Sequence, residues 1–289
     1  MKQGSLLSRW KLKVLRSSSL SGKLSSTSPS REHPENNSAA EPDRQLFIES
    51  SKKFVDLLKR IQDISRKLHN TPADTAGAWG SYLLYRLCIN GDTLVSLWQK
   101  KPELDHYAIA VLVRSMIETG IMLLYILEKD LSLDEWNLRR EVLNLHDCIA
   151  RIRLFKAVDD NDEADKGRDI SEDLRTKIQK NPLYNTFDEQ QQKRLLSGEV
   201  LFLRGLRGAV TNVGLTKEWF EVVYVTQSSF THATPFSFQR TAEREIWKGN
   251  SGYAFYIAGF SVSALCQVIE IVIPRMQTHL ESALASTKA

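Results

Sequence analysis

The chain has 289 residues, of which 42% are hydrophobic, so it can bury a substantial core in one large or two ordinary domains. Only 14 Gly and 8 Pro are present, and no alternating Val/Ile/Thr runs occur between turn pairs, which excludes a mainly β protein and predicts an all-α fold. The formal net charge is +4, but residues 1–31 carry seven Lys or Arg and no acid, so the remainder is about −3. That remainder lacks the global basic signature of duplex nucleic-acid binders.

The N-terminal segment, residues 1–43, is rich in Ser, Asn and Pro and poor in large apolar side chains. It cannot offset the entropy of ordering, so we predict a disordered basic tail followed by one helical domain over residues 44–285. Its stretch SLLSRWKLKVLRSSS alternates apolar and basic residues, a pattern that also suits an anionic surface or an organelle-targeting segment.

Two helices are predicted before residue 101. The first has Asp43 as N-cap and ends near His69, and the second runs from Asp74 to Lys100. Gly91 in the middle of the second helix predicts close packing against a neighbouring helix, since Gly costs about 1 kcal/mol relative to Ala there. The core stripe of the first helix is Phe47, Phe54, Leu57, Leu58, Ile61, Ile64 and Leu68.

The central predicted helix spans residues 103–129 and is apolar on all sides except at Arg114 and Glu118. Such a helix is buried, and its two charges, four residues apart on one face, need partners. A membrane span is disfavoured, because each ionised side chain at its centre would cost roughly 2.5 to 3.5 kcal/mol. We therefore predict a helical bundle around this helix and no transmembrane segment.

The capping box Ser132-Leu-Asp-Glu135 predicts the start of a long helix that ends near Val158. The following acidic run, residues 159–169, has no large apolar side chain and lacks the Gly and closing Glu of a calcium loop. We predict an exposed loop there.

Two shorter helices are predicted at residues 171–180 and 188–203. Thr216 is expected to cap the next helix, KEWFEVVYVTQSSFTHAT, and the last helix, residues 253–284, is expected to bend at Pro274.

Three cysteines, Cys88, Cys148 and Cys266, lie far apart on separate predicted helices. Their spacing fits neither a metal site nor a disulfide framework, so we predict buried thiols in a reducing, cytoplasmic compartment, with no cofactor.

One set of polar residues could carry chemistry: Arg114 and Glu118 on the central helix with Ser229 and His232 near the end of a later helix. Glu118, His232 and Ser229 could serve as catalytic residues, and Arg114 could bind an anionic substrate. The alternative is a structural polar network that joins two core helices.

A resemblance coincides with these residues. LVRSMIETGIMLLYIL and VYVTQSSFTHAT resemble a family of uncharacterised, mostly bacterial helical proteins with an Arg-Ser-x-x-Glu helix and a Ser-x-x-His element near the C-terminal end. The resemblance covers roughly residues 47–273 and brings no settled activity. It implies site roles for Arg114, Glu118, Tyr224, Ser228 or Ser229, and His232. Among these, Tyr224 would bind the substrate together with Arg114.

A second, weaker resemblance rests on Arg140 and His146. These residues fit the Arg-x(4–6)-His pattern of HEPN-type helical ribonucleases, and that resemblance implies phosphate binding by Arg140 and acid/base cleavage by His146. On a regular helix, residues six apart point about 240° from one another, so joint action requires a bent helix or a homodimer.

The sequence thus supports two hypotheses. The first is a polar pocket for an anionic substrate, RNA or a small anionic ligand, with ribonuclease-like phosphodiester cleavage as its most specific form. The second is a non-catalytic helical interaction module in which the same residues only hold the bundle together. Both need the same residues, so the sequence does not choose between an enzyme and a non-enzymatic protein.

Overall fold

The computed structural model describes residues 37–68, 75–99, 103–232, 234–235, 237 and 251–286. Within these ranges the chain forms nine α-helices, one short 3-10 helix and no strand, which confirms the all-α prediction. The helices are α1 (Asn37–Lys67), α2 (Ala76–Gln99), α3 (His106–Ile126), α4 (Leu133–Ala157), α5 (Asn161–Lys180), the 3-10 helix (Tyr184–Thr186), α6 (Glu189–Ser197), α7 (Gly205–Asn212), α8 (Lys217–Thr231) and α9 (Gly252–Ser286).

The start of α1 differs from the prediction. Residues 1–36 of the predicted tail lie outside the described residues, but α1 begins at Asn37 and runs through Asp43, the predicted N-cap. Pro42 lies inside this helix. It has no N–H to donate, yet its fixed φ is compatible with a helix, so the loss is confined to one bond near the N-terminal end. The predicted helix boundaries at His69, Asp74 and Lys100 also lie outside the described residues.

The predicted apolar stripe of α1 is confirmed, because all seven of its residues are buried. This stripe packs against α9 and α2. Gly91 of α2 faces Leu58 of α1, and a Cβ at position 91 would lie only 2.4 Å from a Leu58 methyl carbon. The predicted close packing at Gly91 is therefore confirmed.

Helix α3 is central, with α2, α7, α8 and α9 packed around it. By length and composition alone, α3 and the segment Gly252–Ser282 of α9 could each cross a membrane, with 67% and 78% of their most apolar windows buried within the protein. The core helix of a soluble protein passes the same test, so this observation assigns no location.

Side-chain contacts show which of the neighbouring helices run parallel and which run antiparallel to α3. The rings of His106 and Tyr253 lie 6.3 Å apart at the beginnings of α3 and α9, and a Cβ at Gly120 would meet Val268 further along both. These two helices are therefore parallel. Helix α8 is antiparallel to α3, because its C-terminal Phe230 packs near the start of α3.

Two predicted N-caps are confirmed. The Ser132 hydroxyl oxygen accepts a hydrogen bond from the Glu135 N–H at 3.1 Å, and that of Thr216 accepts from the Trp219 N–H at 3.1 Å. The Glu135 carboxylate, however, pairs with Arg139. The capping box is thus formed by its serine, while its glutamate has a different partner.

The prediction of a loop over residues 159–169 was wrong, because α5 begins at Asn161. Asp160 caps this helix by accepting from the Glu163 N–H, and acidic residues in the first turn favour the positive end of the helix dipole. A Cβ at Gly167 would lie 2.6 Å from Ile152 of α4. Gly167, which was predicted to lie in a loop, instead allows close contact between α5 and α4.

Helix α6 ends at Ser197, six residues before the predicted end at residue 203. Gly198 follows in the left-handed region, with φ 72°, which ends a helix at little cost for glycine. At the C-terminal end, Pro274 lies inside α9, which continues to Ser286.

The buried apolar residues form two main clusters. The larger joins α1, α2, α3, α7, α8 and α9, and the smaller lies between α4, α5, the 3-10 helix and α6. Trp136 and Leu143 of α4 belong to the larger cluster, while its opposite face lies in the smaller one. The three cysteines are free and buried, as predicted, and burial raises the pKa of Cys266 to about 12.

Candidate functional site

The structure brings three of the predicted site residues together. Arg114 donates from Nε to the Glu118 carboxylate at 3.0 Å and from Nη2 to the Tyr224 hydroxyl oxygen at 2.9 Å. Its guanidinium carbon also lies 4.6 Å from the centre of the Tyr224 ring. The Arg114 side chain is 13% exposed and that of Glu118 is 45% exposed. We call these three residues the Arg114 group.

The third nitrogen of Arg114, Nη1, is buried and has no hydrogen-bond acceptor. Three other buried groups without a partner lie at about the same level of the bundle, the hydroxyls of Thr226 and Ser261 and the Gln227 Nε2. Ser261 is eight residues after Tyr253 on α9, just as Arg114 is eight residues after His106 on the parallel α3. Gln227 lies on α8 between the two residues that contact α3, Tyr224 and Phe230. Several buried groups that can donate hydrogen bonds, but have no acceptor, thus lie at about the height of Arg114 along the bundle.

Ser229 and His232 do not join this group by any described hydrogen bond. The Ser229 hydroxyl donates to the Val225 carbonyl oxygen of its own helix at 2.9 Å. His232 is the C-cap of α8 and its side chain is exposed. It follows Tyr224 by eight residues, about 12 Å along the helix axis. Ser228, the other serine that the resemblance implied, is half-buried on the same helix.

Arg140 and His146 both lie on α4. The Arg140 guanidinium pairs with Glu141 at 2.9 Å, and the Nδ1 of the half-buried His146 has no hydrogen-bond partner. No described contact joins the two residues.

A second arginine group, which the sequence analysis missed, lies between α3 and α4. Arg139 is only 3% exposed and donates from Nη2 to the carboxylates of Glu128, at 2.6 Å, and Glu135. Its Nη1 donates to the Tyr125 carbonyl oxygen, and its guanidinium carbon lies 4.0 Å from the centre of the Tyr125 ring. Its Nε is buried without a partner. We call these four residues the Arg139 group.

The Tyr125 hydroxyl connects the Arg139 group to the chain beyond α6. Its oxygen accepts a hydrogen bond from the Leu203 N–H at 3.2 Å, and its ring meets Phe202 edge to face at 5.0 Å. Burial is the main reason why the pKa of Tyr125 is raised to about 12. The phenol is therefore protonated at neutral pH.

A cavity of about 210 Å³ adjoins the Arg139 group. Its wall combines both apolar clusters, with Phe202 from the larger and Phe187 from the smaller. Three further residues with polar side chains line it, Thr186, Arg204 and Asn212. This cavity therefore lies where the two halves of the core meet.

A larger cavity, of about 850 Å³, lies between the end of α3, the start of α4 and α9. Arg275 and His279 of α9 line it opposite Trp136. Arg275 donates to the Leu127 carbonyl oxygen at the end of α3, and burial lowers the pKa of His279. Neither of these two cavities is lined by a residue of the Arg114 group.

One signal in the sequence could have revealed Arg139. Glu135 and Arg139 are four residues apart, the spacing of an ion pair on a helix, but Glu135 was assigned to the capping box. Tyr125 lies at the C-terminal end of α3 and Glu128 lies just beyond it, so their approach to Arg139 depends on how residues 127–132 turn the chain from α3 into α4.

Comparison with known proteins gives one positive result. Residues 77–246 match the model of a family of unknown function, DUF5677. No curated protein and no solved structure matches the chain. In the described ranges, no group of three or more His, Cys, Asp or Glu residues could hold a metal ion.

Proposed function

We propose that this chain, which belongs to the DUF5677 family of unknown function, binds an anionic ligand through Arg114. The observation that carries the proposal is the Nη1 of Arg114, a buried N–H donor without an acceptor. An unmet donor on a charged group is costly, and a carboxylate or phosphate oxygen is the partner that a guanidinium binds most strongly.

Tyr224 prepares the guanidinium for this role. Its hydroxyl oxygen accepts from Nη2 and its ring lies against the guanidinium carbon, so two contacts hold the side chain in one orientation. A fixed arginine loses little side-chain entropy when an anion binds.

Glu118 acts as the competitor of the ligand. Its carboxylate accepts from Nε of Arg114, and almost half of its side chain is exposed. It can therefore move into water, which reduces its repulsion of an anion that binds Nη1. This arrangement predicts that neutralising Glu118 strengthens anion binding.

The ribonuclease version of the proposal adds His232. Because about 12 Å of helix separates Tyr224 from His232, one small anion cannot contact both residues. A single-stranded RNA could place one phosphate at Arg114 and another near His232, where an exposed imidazole can exchange protons with water. The HEPN-type version uses Arg140 and His146 instead.

The alternative function, a non-catalytic interaction module, is favoured by a different observation. Arg114 links α3 to α8 across 110 residues of sequence, and this contact alone would justify a buried arginine that fixes how the two helices pack.

Titration with inorganic phosphate, followed by calorimetry, tests the proposal. The parent protein should bind phosphate, Arg114→Gln should abolish this binding, and Glu118→Gln should tighten it. Arg153→Gln is the matched control, since it removes an arginine from an exposed pair with Glu199 on another surface. Folded parent and Glu118→Gln proteins that both fail to bind phosphate would establish the structural alternative.

A second assay addresses cleavage. A short single-stranded oligoribonucleotide is incubated with the parent protein, His232→Gln and His146→Gln. Loss of cleavage in His232→Gln alone supports the Arg114-centred ribonuclease, and loss in His146→Gln alone supports the HEPN-type version. Phosphate binding without cleavage leaves an anion-binding protein that is not a nuclease.

A further inference from the structure

The Arg139 group, which lines the smaller cavity, carries one carboxylate more than its own guanidinium balances. Two carboxylates, Glu128 and Glu135, share the Nη2 of one guanidinium. Arg139 therefore balances one of the two charges. Their side chains are 24% and 36% exposed, so both carboxylates can be reached from outside the core while the arginine behind them cannot.

Arg139 also fixes the positions of these carboxylates. Its guanidinium is held by the Tyr125 carbonyl oxygen and ring, and each carboxylate uses only one oxygen, Oε2 of Glu128 and Oε1 of Glu135, in the contacts with Arg139. The second oxygen of each carboxylate has no described hydrogen bond. An N–H donor entering the cavity would find two acceptors whose direction is already set.

The wall next to the carboxylates is aromatic. Tyr125, Phe187 and Phe202 all line the cavity, and the faces of aromatic rings attract cations. The Tyr125 ring already lies against the Arg139 guanidinium, so Phe187 and Phe202 are the rings left for a ligand. The volume of about 210 Å³ corresponds to roughly seven water molecules at about 30 Å³ each. The cavity thus suits a ligand with about that number of non-hydrogen atoms.

From this combination we propose that the cavity binds the ammonium group of a small primary amine, with Glu128 and Glu135 as its acceptors. Two sources share this chemistry, a simple amine and an α-amino acid. Arg204 and Asn212 line the same cavity, and within the described part of the chain the Arg204 guanidinium forms no ion pair or hydrogen bond. In an α-amino acid, the carboxylate would bind there.

The inference is independent of anion binding at Arg114, and its test uses the full chain with matched ligands. Propylammonium, 1-propanol and butyrate share a propyl group but carry positive, zero and negative charge. Calorimetric or NMR titration should show saturable binding of propylammonium alone. The absence of saturable binding of propylammonium to the folded parent protein overturns the proposal, as does equal binding of 1-propanol.

Variants then locate the site. Glu128→Gln and Glu135→Gln should each weaken propylammonium binding at least tenfold, with folding verified by circular dichroism. Asp147→Asn is the matched control, because it removes one charge from an exposed pair on the same helix as Glu135 and should bind as the parent does. Unchanged binding in both glutamate variants would overturn the assignment to this cavity.

A further pair of ligands separates the two sources. 2-Aminobutyrate is propylammonium with an added carboxylate. If it binds more tightly than propylammonium to the parent, and loses this advantage in Arg204→Gln, the ligand is an α-amino acid. If it binds more weakly, the ligand is a simple amine.

Discussion

Arg114 on α3 and Arg139 on α4 each have a glutamate four residues away and a tyrosine ring against the guanidinium. The two groups differ in what lies beyond these shared parts. Arg114 has one glutamate, which is half in water. Each arginine retains one buried nitrogen without an acceptor, Nη1 in Arg114 and Nε in Arg139, so the difference lies in the glutamates and in burial. Arg139 is almost completely buried and faces a second glutamate as well.

The same residue types therefore give two groups of different net charge. The Arg114 group is neutral, whereas the Arg139 group has one carboxylate in excess and offers the second oxygens of Glu128 and Glu135 as acceptors. Burial and the number of partners, rather than the motif itself, decide which sign of ligand each arginine attracts. The following predictions test this difference, beginning with the largest expected effect.

Replacing Arg139 with Met should lower the free energy of unfolding by roughly 3 to 5 kcal/mol, because two neighbouring carboxylates then lose their shared cation. Chemical denaturation followed by circular dichroism measures the change. Arg153→Met, at an exposed pair, is the control and should change stability by less than about 1 kcal/mol. A similarly small loss for Arg139→Met would show that the buried group contributes little.

Acid should loosen the region around α3 and α8. His106 is buried among Tyr107, Phe230 and Tyr253, and burial lowers its pKa to about 4. The unfolded chain, with an ordinary His pKa near 6.5, binds the proton more readily, so this contribution is complete above pH 6.5 and is lost as the pH falls towards 4. Each unit of difference between the folded and unfolded pKa corresponds to about 1.4 kcal/mol, so the free energy of unfolding falls by about 3 kcal/mol over this interval.

The matched variant for this prediction is His106→Phe, which keeps an aromatic ring in the same surroundings. Between pH 6.5 and pH 4, the free energy of unfolding should fall less in this variant than in the parent, and the difference should be about 3 kcal/mol. Parallel curves for the two proteins over this interval would contradict the assignment.

Arg114→Met should cost about 1 to 3 kcal/mol, less than Arg139→Met. It leaves the Tyr224 hydroxyl without its donor, but Glu118 remains in contact with water. Thermal or chemical denaturation of both variants under one condition gives the comparison. An equal or larger loss at Arg114 would reverse the order of the two groups.

The smallest effect is expected for Glu118→Gln, within about 0.5 kcal/mol of the parent, because exposed pairs of this spacing contribute little. Glu135→Gln, measured beside it, should cost more, since its partner Arg139 is almost fully buried. Equal costs would mean that the burial of the arginine does not distinguish the two pairs.

Local chemistry made part of this structure predictable. The caps at Ser132 and Thr216 depend on neighbours three residues away, and the buried stripe of α1 follows from helical spacing. The pairing of Arg114 with Glu118 follows from their separation of one helical turn. Each of these features depends on a short stretch of chain.

The features that were missed depend on distant residues. The helix at residues 161–180 is polar, and part of its support is the approach of Gly167 to Ile152 on another helix. The Arg139 group needs Glu128 and Tyr125 to come from α3 and its C-terminal end. The contact of Arg114 with Tyr224 was indicated only by a resemblance, since 110 residues separate them.

Helix α4 has one face in each apolar cluster, and this arrangement bears on how fast a ligand can enter and leave the cavity beside the Arg139 group. The smaller cluster has far fewer buried residues, so the unit formed by α5, the 3-10 helix and α6 should open at a lower free energy than the rest. Leu183 and Phe187, which belong to that unit, form part of the cavity wall. Opening of this unit would widen the access to Glu128 and Glu135, which are already partly exposed, while the packing of α3 with α9 stays intact. The rate of ligand exchange would then depend on the motion of one peripheral unit, and amide hydrogen exchange along α5 would report it.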